Sequence, residues 1–452
     1  MTITEAIVLA AGHGTRMKSS TPKVLHPLLG QAMLQWVVDA CLEATGRPVT
    51  VVVGSDSDRI RQAVQGDVRY MVQGEQLGTG HAVQQAQDFF SDEVEQLLVV
   101  NADLALLTDE TLRRLVAARA AHSGTFSLLT ARSSQGRGFG RLIRDQDGQL
   151  LQILEAAHAT PEQLAIDELN VGAYCFPTDW LWAHLPRIEP SPSGEYYLTD
   201  LVEIASRQGE LMAAVELDDI DQAIGINTRV HLAEAEAALR RRLNERWMLA
   251  GVTLQDPNTT YIGPKVQLAQ DVLILANTHL EGETTIGETS RIGPNSIVRD
   301  SRIGARCQIE ASVVEQAVLE DDIDIGPFSH LRTGAYLEQG VHVGNYGEVK
   351  NSRLGRGVKV GHFSYLGDAT VGAYANIGAG TITCNFDGEH KHATEIGEGA
   401  FIGSDTMLVA PVRIGKGART GAGAVVTKDV PDDSIAVGVP ARVIRKVGVD
   451  RG

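Results

Sequence analysis

The chain has 452 residues, enough for about two or three domains of ordinary size. Its 57 Asp and Glu against 40 Lys and Arg give a formal net charge of -17, which argues against sequence-independent binding to nucleic acid, a task that needs a basic surface. A local basic pocket for a phosphorylated metabolite remains compatible with that balance. The four cysteines, Cys41, Cys175, Cys307 and Cys384, are scattered without paired metal spacing, so reduced thiols and a cytoplasmic location are expected. The first short apolar run has no basic leader, and no apolar run reaches the roughly 18 residues of a membrane span, so no membrane partner is expected.

The residues Ile3 to Ala10 read as a buried strand that ends at Ala11-Gly12-His13-Gly14-Thr15-Arg16-Met17. Further strands are expected at Val49–Val53, Gln96–Val100 and Phe126–Thr130, with helices such as Ala32–Ala44 and Asp109–Ala121 between them. Strands alternating with helices imply a doubly wound α/β domain that holds its ligand at the carboxyl ends of the strands. Residues 229–250 are rich in Ala, Leu, Glu and Arg and lack Gly and Pro, so they predict a linking helix. The expected division is therefore 1–228, a nucleotide-binding domain; 229–250, a linker helix; and 251–452, a second domain with an irregular tail after Val426.

From Ile262 an aliphatic residue recurs at every sixth position: Leu268, Ile274, Leu280, Ile286, Ile292 and Val298. The beat resumes at Ile303 and Ile309, then at Val313, Leu319, Ile325, Leu331, Leu337, Val343 and Val349. Later runs are Leu354, Val360 and Leu366, then Val371 and Ile377, then Ile396, Ile402, Leu408 and Ile414. A period of six belongs neither to an α-helix nor to an alternating strand, and fits a hexapeptide β-helix. Glycine often follows the aliphatic residue, as at Gly287, Gly304 and Gly344, where positive φ at a corner is expected. The segment resembles the left-handed parallel β-helix of the hexapeptide acyltransferases, with about nine coils of three hexads each.

The glycine-rich turn after the first strand can cradle phosphate on backbone N–H groups. No Gly-Lys-Ser/Thr follows, and Met17 stands where a dinucleotide fingerprint has its third glycine. Arg16 and Lys23 add two cations, which suits a triphosphate whose charge grows during transfer. The stretch LAAGHGTRMKSSTPKVLHPL resembles the signature of the sugar-nucleotide pyrophosphorylases, and Gln73 with Gln76-Leu77-Gly78-Thr79-Gly80-His81-Ala82 resembles their base- and ribose-contacting segment. Together with the hexapeptide domain, nearly the whole chain resembles the two-activity family of bacterial cell-wall precursor synthesis. Those enzymes acetylate glucosamine-1-phosphate with acetyl-CoA and transfer UMP from UTP to N-acetylglucosamine-1-phosphate, with Mg²⁺, as homotrimers.

By that resemblance Leu9, Ala10, Ala11, Gly12, Gln73, Gly78 and Thr79 bind the uridine nucleotide, and Arg16 and Lys23 hold its phosphates. Gly140, Glu155 and Asn170 contact the N-acetylglucosamine moiety, and Asp103 and Asn227 hold Mg²⁺. The position of Asp103 after an apolar strand supports the same role, whereas spacing alone would make Asn227 a helix N-cap. The family usually reads Gly-Asp-x-Pro-Leu where this chain has Ala102-Asp103-Leu104-Ala105-Leu106, so the Cβ of Ala102 is expected to crowd the nucleotide. Ala156-Ala157-His158 follows Glu155 where charged residues are usual.

The stretch Gly361-His362-Phe363-Ser364-Tyr365-Leu366-Gly367-Asp368 resembles the acetyltransferase's catalytic segment, with His362 as general base. The hexad beat breaks at 383–395, so these residues must loop outward. The resemblance implies that Arg332, Lys350 and Lys391 bind the sugar phosphate and that Tyr365 and Asn376 align the sugar. Asn385 stands at the sugar and acetyl-CoA, and Phe386 (usually tyrosine), Ser404, Ala422 and Arg442 contact acetyl-CoA; Arg442 would replace an arginine absent at Gly438. His330 and His342 read as solvated corners of the repeat. Two other readings stand beside this one: a single-activity nucleotidyltransferase with a structural or regulatory β-helix, and a non-catalytic subunit with a decayed nucleotidyl site.

Overall fold

The computed structural model describes residues 2–12, 14–121, 124–192 and 194–448. The chain divides into two compact units, 1–239 and 240–452, and the division falls inside the helix Arg229–Leu249. His13 of the glycine-rich turn lies outside the described residues.

The first unit is built on a mixed sheet in which Thr4–Ala10 lies between Gln96–Asn101 and Val49–Val53, parallel to both. The strands Val49–Val53 and Val68–Val72 extend the sheet to one side, and the chain then returns to the other side at Gln96. That reversal of direction beside Thr4–Ala10 is a topological switch point, where such sheets open a crevice at their carboxyl ends. The helices Met33–Thr45 and Asp109–Ala121 cover this sheet. The long strand Glu168–Pro177 runs antiparallel between Gln96–Asn101 and Phe126–Arg132, a reversal that the strand–helix alternation did not reveal. Its register shifts between Asn170 and Tyr174, and Asn170 pairs there with Gly140 of the strand Gly140–Arg144.

The second unit is a left-handed β-helix whose coils each contribute one short strand to three parallel ladders. Ile262, Leu280, Val298, Leu331, Val349, Leu366 and Leu408 stack inside one ladder, and all are fully buried. The structure corrects the beat at one position: Val314, not Val313, points inward, because the ladder pairs Val314 with Val298. Arms of five residues, such as Ile309 to Val314 and Val314 to Leu319, account for the shift.

Of the glycines that follow the aliphatic residues, Gly293 and Gly326 have the expected positive φ, at +100 and +111, whereas Gly287, Gly304 and Gly344 do not. Positive φ at the other corners is shared between Asn and Asp, such as Asn277, Asn295, Asp322 and Asn351, and glycines such as Gly282, Gly340 and Gly357. At Gly344 the constraint is the coil above, since a Cβ there would sit 2.0 Å from the carbonyl oxygen of Gly361. Hydrogen-bonded coils lie about 4.8 Å apart, which leaves no room for a methyl pointed along the stack.

His330 and His342 are not corner residues. They lie on strands and face outward, with His330 Nε2 3.1 Å from Glu315 Oε2 and His342 Nδ1 2.9 Å from Asp324 Oδ2. The tail is also regular: Ser434–Gly438 extends the ladder that holds Ile274, Ile292 and Val360, and pairs antiparallel with Ala441–Lys446. At the other end Trp247 packs into the prism core, while Asn244 Nδ2 donates to the carbonyls of Pro257 and Thr260 at 2.8 and 3.0 Å. The last turns of the helix thus close the first coil and satisfy its loose carbonyls.

Candidate functional site

In the first unit the loops beyond Ala10, Val53 and Asn101 surround the crevice. The turn Thr15–Met17 is anchored by the buried Met17, which leaves Arg16 exposed. Lys23 opens the short turn Lys23–Leu25, held by the buried Val24. Lys23 Nζ lies 2.8 Å from both Asp103 Oδ2 and Asn227 Oδ1. Arg16 Nη2 donates to the same Asn227 oxygen at 2.9 Å, and Asn227 Nδ2 donates to Asp103 Oδ2 at 3.2 Å. Four residues up to 211 positions apart in sequence therefore converge on one spot.

Backbone contacts hold that convergence in place. Ala102 N–H donates to the Leu9 carbonyl at 3.1 Å, and Ile226 N–H to the Asp103 carbonyl at 3.0 Å. Thr228 is the N-cap of the following helix, its Oγ1 accepting from His231 N–H at 3.2 Å, so Asn227 is left to turn toward Asp103. A carboxylate and an amide oxygen that jointly grip one cation, the Lys23 ammonium, are hard donors of the kind that Mg²⁺ takes. Asp103 and Asn227 would therefore fit a divalent ion. Among the described residues no cluster of three or more His, Cys, Asp or Glu side chains suits a metal. Ala102 is 3% exposed, in line with its buried neighbours Leu104 and Leu106.

Ala10, Ala11, Gly12 and Lys23 line a small cavity together with Gly54 and Gln76, whose amide donates to the Ala11 carbonyl. Leu9 lies within the central strand and pairs with Val52 and Asn101. Gln73 is buried, with its Nε2 2.9 Å from His81 Nδ1. Gly78 has φ +101, and a Cβ there would meet the Tyr196 carbonyl oxygen at 2.6 Å. Thr79 Oγ1 accepts from Leu198 N–H at 3.0 Å.

A second group gathers around Glu155. The Tyr174 hydroxyl lies within 2.7–3.0 Å of the buried Asn170 amide. Glu155 Oε1 accepts from Thr199 Oγ1 at 2.9 Å. Burial raises the Glu155 carboxyl above the usual range, against the pull of the Thr199 hydrogen bond and of His158. His158 ends the short turn Ala156–His158, so a titratable group stands near the carboxylate despite the two alanines. Thr199 and Tyr174 belong to this group although no motif in the sequence marked them.

In the second unit His362 ends the strand Lys359–His362 and pairs in register with Asn345. Its Nδ1 is 3.0 Å from Asn345 Oδ1. An amide oxygen accepts only, so this contact puts the ring proton on Nδ1 and leaves the exposed Nε2 as a base. Asn345 carried no sequence signal.

Arg332, Lys350 and Lys391 converge. Lys391, then Arg332, push the Lys350 ammonium below the ordinary lysine range. Lys391 sits in the segment that the hexad break predicted, where Phe386 and Lys391 bridge antiparallel and His392 N–H donates to the Asn385 carbonyl at 2.7 Å. Asp368 accepts from Asn385 Nδ2 and Asn351 Nδ2, both at 2.5 Å, and so ties this segment to the prism. Arg332 Nη1 donates to Glu348 at 2.7 Å, and Tyr365 lies within its field.

Asn376 is placed apart, on another ladder between Lys359 and Phe401, whereas Lys350 and Tyr365 lie on the ladder of Ile262, Val349 and Leu366. Ser404 and Ala422 occupy successive coils, with Gly423 N–H donating to the Ser404 carbonyl at 2.8 Å. Phe386 is 60% exposed, and Arg442 is exposed on the final hairpin opposite Val437.

Comparison with known proteins agrees with both halves of this geometry. The model of the MobA-like NTP transferase domain matches residues 6–178, and that of the bacterial transferase hexapeptide (six repeats) matches 393–428. Curated relatives named "Bifunctional protein GlmU" align along nearly their whole length. That of Heliobacterium modesticaldum is 47% identical over 96% of this chain and 94% of its own. That of Trichlorobacter lovleyi is 45% identical over 97% and 96%, and that of Streptococcus thermophilus 42% identical over 98% and 96%. A solved UDP-glucose pyrophosphorylase complexed with UDP-glucose covers 53% of this chain and 99% of its own at 16% identity and a TM-score of 0.44. The chain belongs to the bifunctional GlmU family, the two-activity family that its sequence resembles.

Proposed function

We propose that the β-helix acetylates glucosamine-1-phosphate with acetyl-CoA, and that the first unit then transfers UMP from UTP to N-acetylglucosamine-1-phosphate. The products are UDP-N-acetylglucosamine and pyrophosphate. The observation that carries both halves is the presence of two separate cationic sites, Arg16 with Lys23 and Arg332 with Lys350 and Lys391. A purely structural β-helix gives no reason to crowd three cations until one lysine's pKa falls. A decayed nucleotidyl site gives no reason to keep Arg16, Lys23, Asp103 and Asn227 in mutual contact.

In the first unit Arg16 and Lys23 bind the triphosphate and stabilise the charge that develops as the sugar phosphate attacks the α-phosphorus. Gln73, Gly78 and Thr79 hold the uridine, while Gly140, Glu155 and Asn170 orient the sugar. Asp103 and Asn227 would hold Mg²⁺, which when bound would supply the neutralising charge that two approaching anions require. In the second unit Arg332, Lys350 and Lys391 fix the sugar phosphate, and His362 Nε2 takes the proton from the attacking amine. Asn385, Phe386, Ser404, Ala422 and Arg442 hold acetyl-CoA.

The site in the β-helix is shared between copies of a homotrimer. Asn376 lies on a different ladder from Lys350 and Tyr365, which supports a site completed by a second copy. One edge of the prism carries exposed aromatics in successive coils, Phe328, Tyr346 and Phe363, and the first two stack at 5.4 Å between centroids. Apolar rings exposed in a row favour burial against a partner. No described helix is long and apolar enough to cross a membrane, and the reduced cysteines accord with a cytoplasmic enzyme.

The test supplies glucosamine-1-phosphate, acetyl-CoA, UTP and Mg²⁺ and resolves the products. Free CoA and pyrophosphate should both appear, the second requiring the first unless N-acetylglucosamine-1-phosphate is supplied. Pyrophosphate without CoA would leave only a nucleotidyltransferase.

A further inference from the structure

Residues 195–199 form a strap that lies against the segment proposed to hold the nucleotide. Tyr196 N–H donates to the Leu77 carbonyl at 2.8 Å, and Gly80 N–H returns to the Tyr196 carbonyl at 2.8 Å. Leu198 is buried and donates its N–H to Thr79 Oγ1 at 3.0 Å. The next residue, Thr199, is buried and donates Oγ1 to Glu155 Oε1 at 2.9 Å. A continuous run of bonds therefore joins Thr79 to Glu155 through two consecutive residues.

We propose that Thr199 is a positioning residue for uridyl transfer: its hydroxyl fixes Glu155 Oε1, so that Oε2 meets the sugar in a position set by the nucleotide segment. The inference deepens the role proposed above for Glu155 and rests on it. A carboxylate on a loop has two rotatable bonds before its terminal torsion, and one fixed oxygen removes most of that freedom before substrate arrives. Thr199 sits on a strap pinned at both Leu77 and Thr79, so it is itself held rigidly.

The electrostatic surroundings give the hydroxyl a second task. The groups whose charge bears on Glu155 are His158 and Glu195, and its own charge acts on Tyr174 and Asp200. Burial, then Glu155 and Glu203, push Asp200 up to about 6. In this acidic and partly dry corner the hydrogen bond from Thr199 is the strongest influence keeping Glu155 ionised.

The test is Thr199→Val, which keeps shape and removes the donor, assayed for uridyl transfer in the full chain. A lost bond to a charged acceptor predicts a KM for N-acetylglucosamine-1-phosphate raised about ten-fold, with the KM for UTP changed less than about two-fold. The acid limb of kcat/KM should move to higher pH, because the ionised form of Glu155 loses its donor. Thr199→Ser, which restores the hydroxyl, should return both readings. An unchanged sugar KM and acid limb in Thr199→Val, or a serine variant as impaired as valine, would overturn the proposal. Glu155→Ala separates the two layers. If it leaves the sugar KM unchanged, the role given to Glu155 is wrong; if it raises that KM while Thr199→Val does not, only the inference about Thr199 fails.

Discussion

The Lys23 ammonium stands 2.8 Å from Asp103 Oδ2, at a spot that Arg16 and Asn227 also reach. This pairing joins the loop after the first strand to the carboxyl end of its neighbour, and it concentrates the charge needed to manage a triphosphate.

Asp103→Asn tests that pairing. One charged oxygen ligand becomes neutral, so uridyl transfer should fall by about two orders of magnitude or more and need a higher Mg²⁺ concentration. Acetyl transfer should be unaffected by the substitution, and by EDTA, because the β-helix presents no metal cluster among its described residues. Initial rates of both reactions across a Mg²⁺ titration check this.

Ala102→Gly should leave UTP affinity where it is, although the sequence suggested that the methyl crowds the nucleotide. The methyl is covered by protein. Its removal should instead cost about 1 kcal/mol of stability, through a small void and a freer backbone. Calorimetric titration with UTP and thermal melting read the two effects.

Much of this was legible in the sequence, for identifiable reasons. The strand Val49–Val53 and helix Asp109–Ala121 carry strong local patterns and appear with the expected bounds. The six-residue beat announced the β-helix because an inward side chain leaves an aliphatic residue at each arm. What stayed hidden depends on contacts between distant segments. The antiparallel run of Glu168–Pro177 has no local marker, and the inward turn of Val314 depends on which residue Val298 meets across the ladder. Asn345 beside His362 and Thr199 beside Glu155 are likewise products of stacking and of a strap. The spacing before the helix favoured Asn227 as its N-cap, whereas the structure gives the cap to Thr228.

The crowded cations make acetyl transfer sensitive to alkaline pH. Lys350 is held below the ordinary lysine range chiefly by Lys391 and next by Arg332. A bound phosphate favours the charged lysine, so affinity for glucosamine-1-phosphate is full below the free-state pKa and lost as pH rises through it. Lys391→Ala removes the largest repulsion, so that limb should shift to higher pH even as affinity at neutral pH falls. Binding isotherms between neutral and alkaline pH decide it.

Gly344→Ala should damage the prism itself. The added Cβ would lie 2.0 Å from the Gly361 oxygen, a backbone atom that cannot swing aside, in the coil that leads to His362. A loss of several kcal/mol is expected on the scale of overpacking. Acetyl transfer should fall with the melting temperature of the β-helix, whereas Gly340→Ala, with open space around it but φ +74, should cost less.

His362→Ala is the most direct measurement of the central claim, that one chain carries two independent chemistries. The imidazole is exposed, with its Nδ1 engaged by Asn345, so its loss should leave the fold intact. Acetyl transfer should fall by about two to four orders of magnitude, the usual range for a lost general base, while uridyl transfer from supplied N-acetylglucosamine-1-phosphate keeps its rate. Parallel loss of both activities in a folded variant, or retention of acetyl transfer, would contradict the account.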